Sequence, residues 1–209
     1  MNKQLPDHHL PASILLPQII LKGFSDSSDG LAIFVTGVGQ LQLWAAQQYF
    51  FGEPYSMITS GGAGAMGYEV PGAMGAQVGM PDKVVWSIAG DGGFQMTLCD
   101  LATAVENNIN VKFAIMNNGT LGMVHQWQDF FYEKDYFSTV YTGNPDFVKL
   151  AEAYGITGIR VSEKGQVAEA IHSMQERFEW PKYIWATTGK NKKESILAAI
   201  DILDGTMRM

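Results

Sequence analysis

Short apolar runs alternate with helical patterns along most of this chain, and that alternation restricts its fold more than any other feature. Each run is six to eight residues long, which is typical of a strand buried on both faces. The alternation predicts the α/β class: a mainly parallel sheet with helices on both faces. The predicted strands span residues 31–36, 83–90, 111–117, 156–161 and 182–187.

Helices are predicted between these strands from apolar residues that recur on one face. The clearest pattern is in 94–108, where Leu98, Leu101 and Val105 form one stripe. Residues 145–155 have a proline at the start and a glycine at the end, which favours a helix there. The predicted helices span residues 41–50, 61–80, 94–108, 145–155 and 166–178.

The length of 209 residues suits one sizeable domain with an ordinary core. We expect an irregular lead-in at residues 1–15, one domain at 16–188 and a peripheral tail at 189–209. This division follows the positions of the predicted strands, because the patterned segments all lie between the two ends.

Charge and composition exclude several classes of function. Hydrophobic residues make up 46% of the chain and charged residues 17%, which is typical of a folded globular protein. The net charge of −7 argues against a nucleic-acid partner. The single cysteine and four histidines lack zinc-site spacing. Neither the N-terminal residues nor residues 61–80 resemble a signal peptide or membrane span, so we expect a cytoplasmic location and leave an organellar one open.

Residues 62–67 read G-A-G-A-M-G, which matches the G-x-G-x-x-G pattern of dinucleotide-binding proteins. That fingerprint requires a strand directly before it, and the preceding residues 53–61 make a poor buried strand. Glycines also occur where backbones pack closely. Three interpretations follow from the motif itself: a nicotinamide cofactor, close helix packing, or a different cofactor.

A stronger signal lies at two successive strand ends. Residues 90–93, G-D-G-G, follow the second predicted strand, and Asn117, Asn118 and Gly119 follow the third. Asn118 comes 27 positions after Asp91, enough for one helix and one strand, so both side chains should reach the same sheet edge. An Asp carboxylate with amide and carbonyl oxygens suits Mg²⁺ bridging to a diphosphate. Each segment taken alone is also typical of a turn.

The G-D-G and N-N pair at this spacing resembles the thiamine-diphosphate motif. Five longer blocks resemble the C-terminal domain of acetohydroxyacid synthase (acetolactate synthase) large subunits over roughly residues 10–180. They are TGVGQLQLWAAQ, TSGGAGAMGYEVPGAMGAQ, GDGGFQMTLCDLATAV, NNGTLGMVHQWQDFFYE and NPDFVKLAEAYGITGIRV. The resemblance implies the thiamine-diphosphate-binding fold and assigns the glycine-rich hexad to that cofactor.

The resemblance also implies roles for single residues. Met66 would prop the cofactor in its bent conformation, and Trp127 would narrow the substrate channel and favour 2-oxobutyrate; these two are the implied catalytic residues. The implied metal ligands are Asp91, Asn118 and the backbone carbonyl of Thr120. The implied cofactor-binding residues are Val38, Gly39, Gln40, Gly64, Met66, Gly90, Asp91, Gly92, Gly93, Asn118, Thr120, Gly122 and Met123.

The activity implied by the resemblance is that of a transferase in branched-chain amino acid biosynthesis. It decarboxylates pyruvate and condenses the remainder with a second 2-oxoacid, using thiamine diphosphate and Mg²⁺. In this family an activating glutamate comes from a pyrimidine-binding domain of a partner subunit, in a homodimer or larger assembly. A central domain holds FAD, and a regulatory subunit is a further expected partner. We therefore expect a fragment or one subunit of a split enzyme, with little activity alone.

Two other functions stay open: a different split thiamine-diphosphate decarboxylase, and a non-catalytic cofactor-binding or regulatory relative. The second is motivated by departures from the family pattern. Leu41 stands where the family usually has histidine, and Glu69 where it has a small or apolar residue. A carboxylate at Glu69 is expected to be unfavourable unless it faces solvent. The tail also departs from the family's proline-rich lid.

Overall fold

The computed structural model describes residues 15–175 and the backbone of residues 184–188. Residues 1–14 of the predicted lead-in and the whole predicted tail, 189–209, lie outside the described residues, so these two domain boundaries stay predictions. Within the described part, no helix has both the length and the apolar character needed to cross a membrane.

Six parallel strands form a single sheet in the order β2-β1-β3-β4-β6-β5. Every described pairing between neighbouring strands is parallel. The strands are β1 (Ile33–Thr36), β2 (Met57–Thr59), β3 (Val85–Gly90), β4 (Lys112–Asn117), β5 (Gly158–Val161) and β6 (Ile184–Thr188). The predicted α/β class with a parallel sheet is confirmed.

Eight α-helices connect or flank the strands of the described chain. They are α1 (Pro17–Ser28), α2 (Gln40–Gln48), α3 (Glu69–Gly79), α4 (Asp91–Thr97), α5 (Asp100–Glu106), α6 (Gly122–Phe131), α7 (Phe147–Ala153) and α8 (Val167–Gln175). A 3₁₀ turn, Lys164–Gln166, precedes α8.

Two apolar cores cover the two faces of the sheet, because alternate strand residues point to opposite sides. On one face Phe34 and Trp86 pack against α1, α2 and α8. On the other face Val35 and Phe113 pack against α3, α4, α5 and α7. The prediction of helices on both faces is confirmed, and the central strands are buried as their apolar sequences require.

The five predicted strands all occur with slightly different ends, but two helix predictions need correction and two helices were not predicted. Residues 61–68 form turns instead of the first half of a helix, since Gly64 and Gly67 have left-handed φ values of 65° and 80°. The predicted helix 94–108 starts earlier, at Asp91, and is interrupted between α4 and α5. Helices α1 and α6 are not among the predicted elements.

The poor strand expected before the glycine hexad is a real but short edge strand, β2, whose residues are half-buried. It pairs only with β1 among the described strands, which explains its weak apolar signal. The hexad therefore does follow a strand, yet it opens into turns and not directly into a helix.

Strand order determines where a ligand can bind. From β1 the chain crosses to β2 on one side, whereas from β3 it crosses to β4 on the other side. The loops after β1 and β3 therefore diverge and leave a crevice, where ligands bind in open parallel sheets. Gly90 of β3 pairs with Met116 of β4, so the residues that follow both strands meet at this same edge.

Candidate functional site

Asp91 lies where β3 ends and α4 begins, at the crevice. Its side chain is only 1% exposed. Oδ2 accepts a hydrogen bond from the Gly119 amide at 2.8 Å and another from Asn144 Nδ2 at 2.5 Å. Both of these hydrogen bonds end on the same carboxylate oxygen, and the Gly92 and Asp91 amides also stabilise the carboxylate.

Burial raises the pKa of Asp91, and the hydrogen bonds from Asn144 and the Gly119 amide lower it in part. A buried carboxylate costs free energy unless donors or a cation compensate its charge. In the described chain no group of three or more His, Cys, Asp or Glu side chains is placed to hold a metal. A cation at Asp91 would therefore depend on neutral oxygen atoms as its other ligands.

The loop after β4 provides such oxygen atoms beside Asp91. Asn118 Oδ1 accepts from the Thr120 amide at 3.0 Å, which curls the loop back towards β4. Thr120 is buried and forms an isolated antiparallel bridge with Val140. A carboxylate, an amide oxygen and a backbone carbonyl make up an oxygen donor set of the kind that Mg²⁺ prefers.

These groups surround a cavity of about 60 Å³ at the crevice. The predicted site residues that line it are Val38, Gln40, Met66, Gly90, Asp91, Gly92, Gly93, Asn118 and Thr120. Leu41, Trp44, Met116 and Leu121 also line it, although they are not among the predicted site residues. Trp44 follows Leu41 by three positions on α2, so helical spacing is a signal that places it on the same face.

Four predicted cofactor-binding residues do not line this cavity. A Cβ added at Gly122 would contact Gln40 and lie 3.0 Å from Asn118 Nδ2, so Gly122 packs behind two lining residues. A Cβ added at Gly39 would lie 3.8 Å from Met123 Cβ, so these two residues adjoin each other. Gly64 is exposed, and an added Cβ there would meet nothing within 4 Å.

The family described as "Thiamine pyrophosphate enzyme, C-terminal TPP binding domain" matches residues 37–183. The chain belongs to this family. The matched segment contains every lining residue of the cavity as well as the strands β2, β3 and β4.

Relatives of this TPP binding domain include three acetolactate synthase subunits. The large subunit from Corynebacterium glutamicum is 44% identical over 87% of this chain and 30% of its own length. The mitochondrial catalytic subunit from Saccharomyces cerevisiae is 46% identical over 75% of this chain and 23% of its own. The isozyme 2 large subunit from Escherichia coli is 40% identical over 82% and 32%. The chain thus spans less than a third of the length of each.

The TPP binding domain presents Met66 at the edge of the cavity. Met66 is half-buried and lines the cavity, whereas residues 61–65 before it are exposed. Gly67 next to it packs tightly, since an added Cβ would lie 3.1 Å from Met96 and from Thr97. Met66 therefore lies on a turn, with the exposed residues 61–65 before it and the buried Gly67 after it.

Glu69 of this domain does not face solvent. It is 0% exposed, and neither carboxyl oxygen has a hydrogen-bond partner among the described residues. The carboxyl group lies between two backbone positions: a Cβ added at Gly37 would be 2.8 Å from Glu69 Cδ, and one at Gly93 would be 2.6 Å from Oε1. Burial raises the pKa of Glu69 to about 7; the Glu69 and Gly67 amides lie near enough to lower it in part, although neither reaches full hydrogen-bond geometry.

Leu41 stands where the family usually has histidine, and it forms an apolar part of the cavity wall. It is buried, lines the cavity and packs against β3, since a Cβ added at Gly90 would lie 3.1 Å from Leu41 Cδ2. Leu41 therefore contributes an apolar contact with the backbone next to Asp91 in place of a polar group.

Trp127 lies apart from the cavity within the described chain. It is 55% exposed on α6 and lines a separate surface groove of about 620 Å³. Phe131, Tyr132 and Phe137 share this groove, so its walls are largely aromatic. The predicted site residues therefore divide into a compact set at the crevice and one exposed tryptophan on a neighbouring surface.

The donor set around Asp91 fits a divalent cation. The buried Asp91 carboxylate shares the cavity lining with Asn118 and Thr120, which carry neutral amide and carbonyl oxygen atoms. A cavity of about 60 Å³ accommodates a cation with a few waters. Larger ligands occupy some hundreds of Å³, so the rest of a cofactor would extend over the exposed surface at residues 61–65.

Proposed function

We propose that this chain provides the metal- and diphosphate-binding part of an acetolactate synthase active site. The observation that carries the proposal is the meeting of Asp91 with the Asn118 loop around one cavity at adjacent strand ends. Similarity to acetolactate synthase subunits over most of this chain supports the choice of reaction.

Each group of residues would have a separate task. Asp91, Asn118 and the Thr120 carbonyl would hold Mg²⁺. Glycines 90, 92 and 93, along with Val38, Gly39 and Gln40, would let the backbone approach the diphosphate. Bound thiamine diphosphate would supply the carbanion chemistry that decarboxylates a 2-oxoacid. Met66, Gly64, Gly122 and Met123 would orient the cofactor, and the buried cavity walls would exclude water.

The full reaction requires groups that the described residues do not include. We propose pyruvate as the first substrate and a second 2-oxoacid, pyruvate or 2-oxobutyrate, as the acceptor, with Trp127 limiting access to the acceptor site. A pyrimidine-binding domain of a partner subunit would contribute the activating glutamate, in a homodimer or larger assembly. FAD would bind a central domain, a regulatory subunit would join the assembly, and the complex would be cytoplasmic.

Calorimetric titration of the full chain with thiamine diphosphate, with and without Mg²⁺, tests the cofactor assignment. We expect binding that depends on Mg²⁺ and that weakens at least about 100-fold in Asp91→Ala, because removal of a ligand costs no less than loss of its supporting contacts. Asp100→Ala is the matched control, since Asp100 is the first residue of α5 as Asp91 is of α4. Binding that ignores Mg²⁺ would contradict the assignment.

Reconstitution tests the reaction itself. The chain would be combined with the pyrimidine-binding and FAD-binding domains of an acetolactate synthase, and the products formed from pyruvate would be identified. Acetolactate supports the proposal, and acetaldehyde as the sole product supports a split decarboxylase instead.

A non-catalytic relative is the second candidate, and the buried Glu69 favours it. A charge at that position, beside Gly37 and Gly93, would oppose a bound diphosphate. Cofactor binding without any turnover in the reconstituted complex would support this candidate over the first.

A further inference from the structure

The Asp91 carboxylate is held in one orientation by neighbours that the sequence does not place next to it. Gly119 N and Asn144 Nδ2 both donate to Oδ2, at 2.8 and 2.5 Å. A carboxylate that is hydrogen-bonded in this way cannot rotate freely, so its orientation relative to the loop after β4 is constant. The position of a metal ligand thus depends on Asn144, which lies 53 residues further along the chain.

Every polar group of the Asn144 side chain is engaged. Because a carboxylate only accepts, Asn144 must present its nitrogen to Asp91. Nδ2 also donates to Asn117 Oδ1 at 2.9 Å, and Oδ1 accepts from Gln95 Nε2 at 3.2 Å. Gln95 donates in addition to the Asp91 carbonyl at 3.0 Å. The side chains of Asp91, Asn117 and Gln95 thus all bond to the Asn144 amide and specify which of its two ends points at Asp91.

The segment that carries Asn144 is attached to the loop of the other proposed ligands. We name residues 139–144 the strap. Leu121 N donates to Thr139 O and Tyr141 N donates to Gly119 O, both at 2.8 Å, on either side of Thr120. The strap therefore pairs antiparallel with residues 119–121, and it continues to Asn144, which bonds to Asp91.

We propose that Asn144 is a positioning residue for the metal site, which fixes the orientation in which the Asp91 carboxylate meets the cation. This inference rests on the proposed function, because it concerns the same site. Asn144 itself contributes no ligand: both of its amide hydrogens are donated within the protein. Its role requires a donor, so an isosteric side chain without one cannot replace it.

The expected effect follows from the chemistry of supporting contacts. Loss of a hydrogen bond that orients a metal ligand typically lowers metal affinity about 10- to 100-fold. Asn144→Asp retains the shape but places a second carboxylate against Asp91, so its affinity should fall at least as far as that of Asn144→Ala. Gln95→Ala, which leaves both Asn144 donor bonds in place, should have the smaller effect.

The test measures Mn²⁺ binding to the full chain by electron paramagnetic resonance, in the presence of thiamine diphosphate. Wild type, Asn144→Asp, Asn144→Ala and Gln95→Ala would be compared. Asn107→Ala is the matched control, since it removes an exposed asparagine whose amide donates to the Thr103 carbonyl at the end of α5. Circular dichroism and thermal unfolding without metal would establish that each variant is folded.

The outcomes separate this inference from the function on which it rests. A folded Asn144→Asp that loses Mn²⁺ affinity about 10-fold or more, while Asn107→Ala does not, supports the positioning role. Wild-type affinity in Asn144→Asp and Asn144→Ala overturns the inference and leaves the proposed function standing. If wild type itself binds no Mn²⁺ with thiamine diphosphate, both are overturned. If the Asn144 variants fail to fold, Gln95→Ala decides, because it removes the donor that anchors Asn144 Oδ1 and so leaves the amide less firmly held against Asp91. A smaller fall in Mn²⁺ affinity is expected there, and unchanged affinity overturns the inference.

Discussion

Glu69 is expected to make the folded protein less stable as the pH rises, whereas a carboxylate paired with a cation makes it more stable. It is fully buried at the start of α3, without a hydrogen-bond partner among the described residues. The helices packed against α3 are α4 and α5, and neither contains a lysine or arginine. Their acidic residues are Asp91 on α4 and Asp100 and Glu106 on α5. Burial raises the pKa of Glu69 from its ordinary 4.5 to about 7.

The sign follows from which state loses its proton first. Below pH 4.5 both the folded and the unfolded chain carry a neutral Glu69, so the group has no effect on stability. As the pH rises towards 7, the unfolded chain ionises while the folded chain does not, and the folded state becomes relatively less stable. One pKa unit corresponds to about 1.4 kcal/mol, so the full cost above pH 7 is roughly 3 kcal/mol.

Glu69→Gln removes this titration and retains the shape of the side chain. We expect the free energy of unfolding of Glu69→Gln, relative to wild type, to rise by roughly 3 kcal/mol between pH 4.5 and pH 8. Urea denaturation of both proteins across this range measures the difference, in which the other titrating groups cancel. Glu106→Gln, at the exposed end of α5, is the control. Parallel pH profiles for wild type and Glu69→Gln would refute the reasoning.

Three further substitutions test the packing of the site, a helix next to it and the neighbouring groove. Gly122→Ala should displace Gln40 and Asn118, which lowers the free energy of unfolding by about 1–3 kcal/mol and weakens Mn²⁺ binding. Chemical denaturation measures the first effect and paramagnetic resonance the second. Unchanged Mn²⁺ affinity would contradict the expectation. Gly75→Ala in α3, where an added Cβ meets nothing within 4 Å, should instead stabilise by about 0.5–1 kcal/mol. Trp127→Leu should change stability by less than about 0.5 kcal/mol, because the side chain is exposed, but shift the reconstituted enzyme towards acetolactate when pyruvate competes with 2-oxobutyrate. An unchanged product ratio would remove Trp127 from acceptor selection.

Features of the fold that depend on local pattern were predictable. The strands at 83–90 and 111–117 are apolar enough to require burial on both faces, and both occur with only their first residues trimmed. Because parallel strands end at one edge, Asp91 and Asn118 were expected to meet, and Gly119 N does donate to Asp91. The cofactor roles of these residues stay predictions until binding is measured.

Features that depend on distant contacts were not predictable in the same way. The small residues at 61–68 suit a helix by composition, but their left-handed glycines turn the chain instead. β2 is too weakly apolar to stand out, and only pairing with β1 makes it a strand. The burial of Glu69 could not be predicted from the sequence, because the first turn of an exposed helix and the first turn of a helix covered by a glycine loop have similar sequences.

By itself the sequence determined the class of fold, the order of its strands along the chain and the oxygen-rich residues at two strand ends. Those properties follow from apolar periodicity and from residue type, which act over a few neighbouring positions. Only the tertiary structure decided that Asn144 bonds to Asp91, that the strap pairs with residues 119–121 and that Glu69 is enclosed between Gly37 and Gly93. These depend on which segments meet across tens of residues, and packing of the whole sheet and its helices sets those distances.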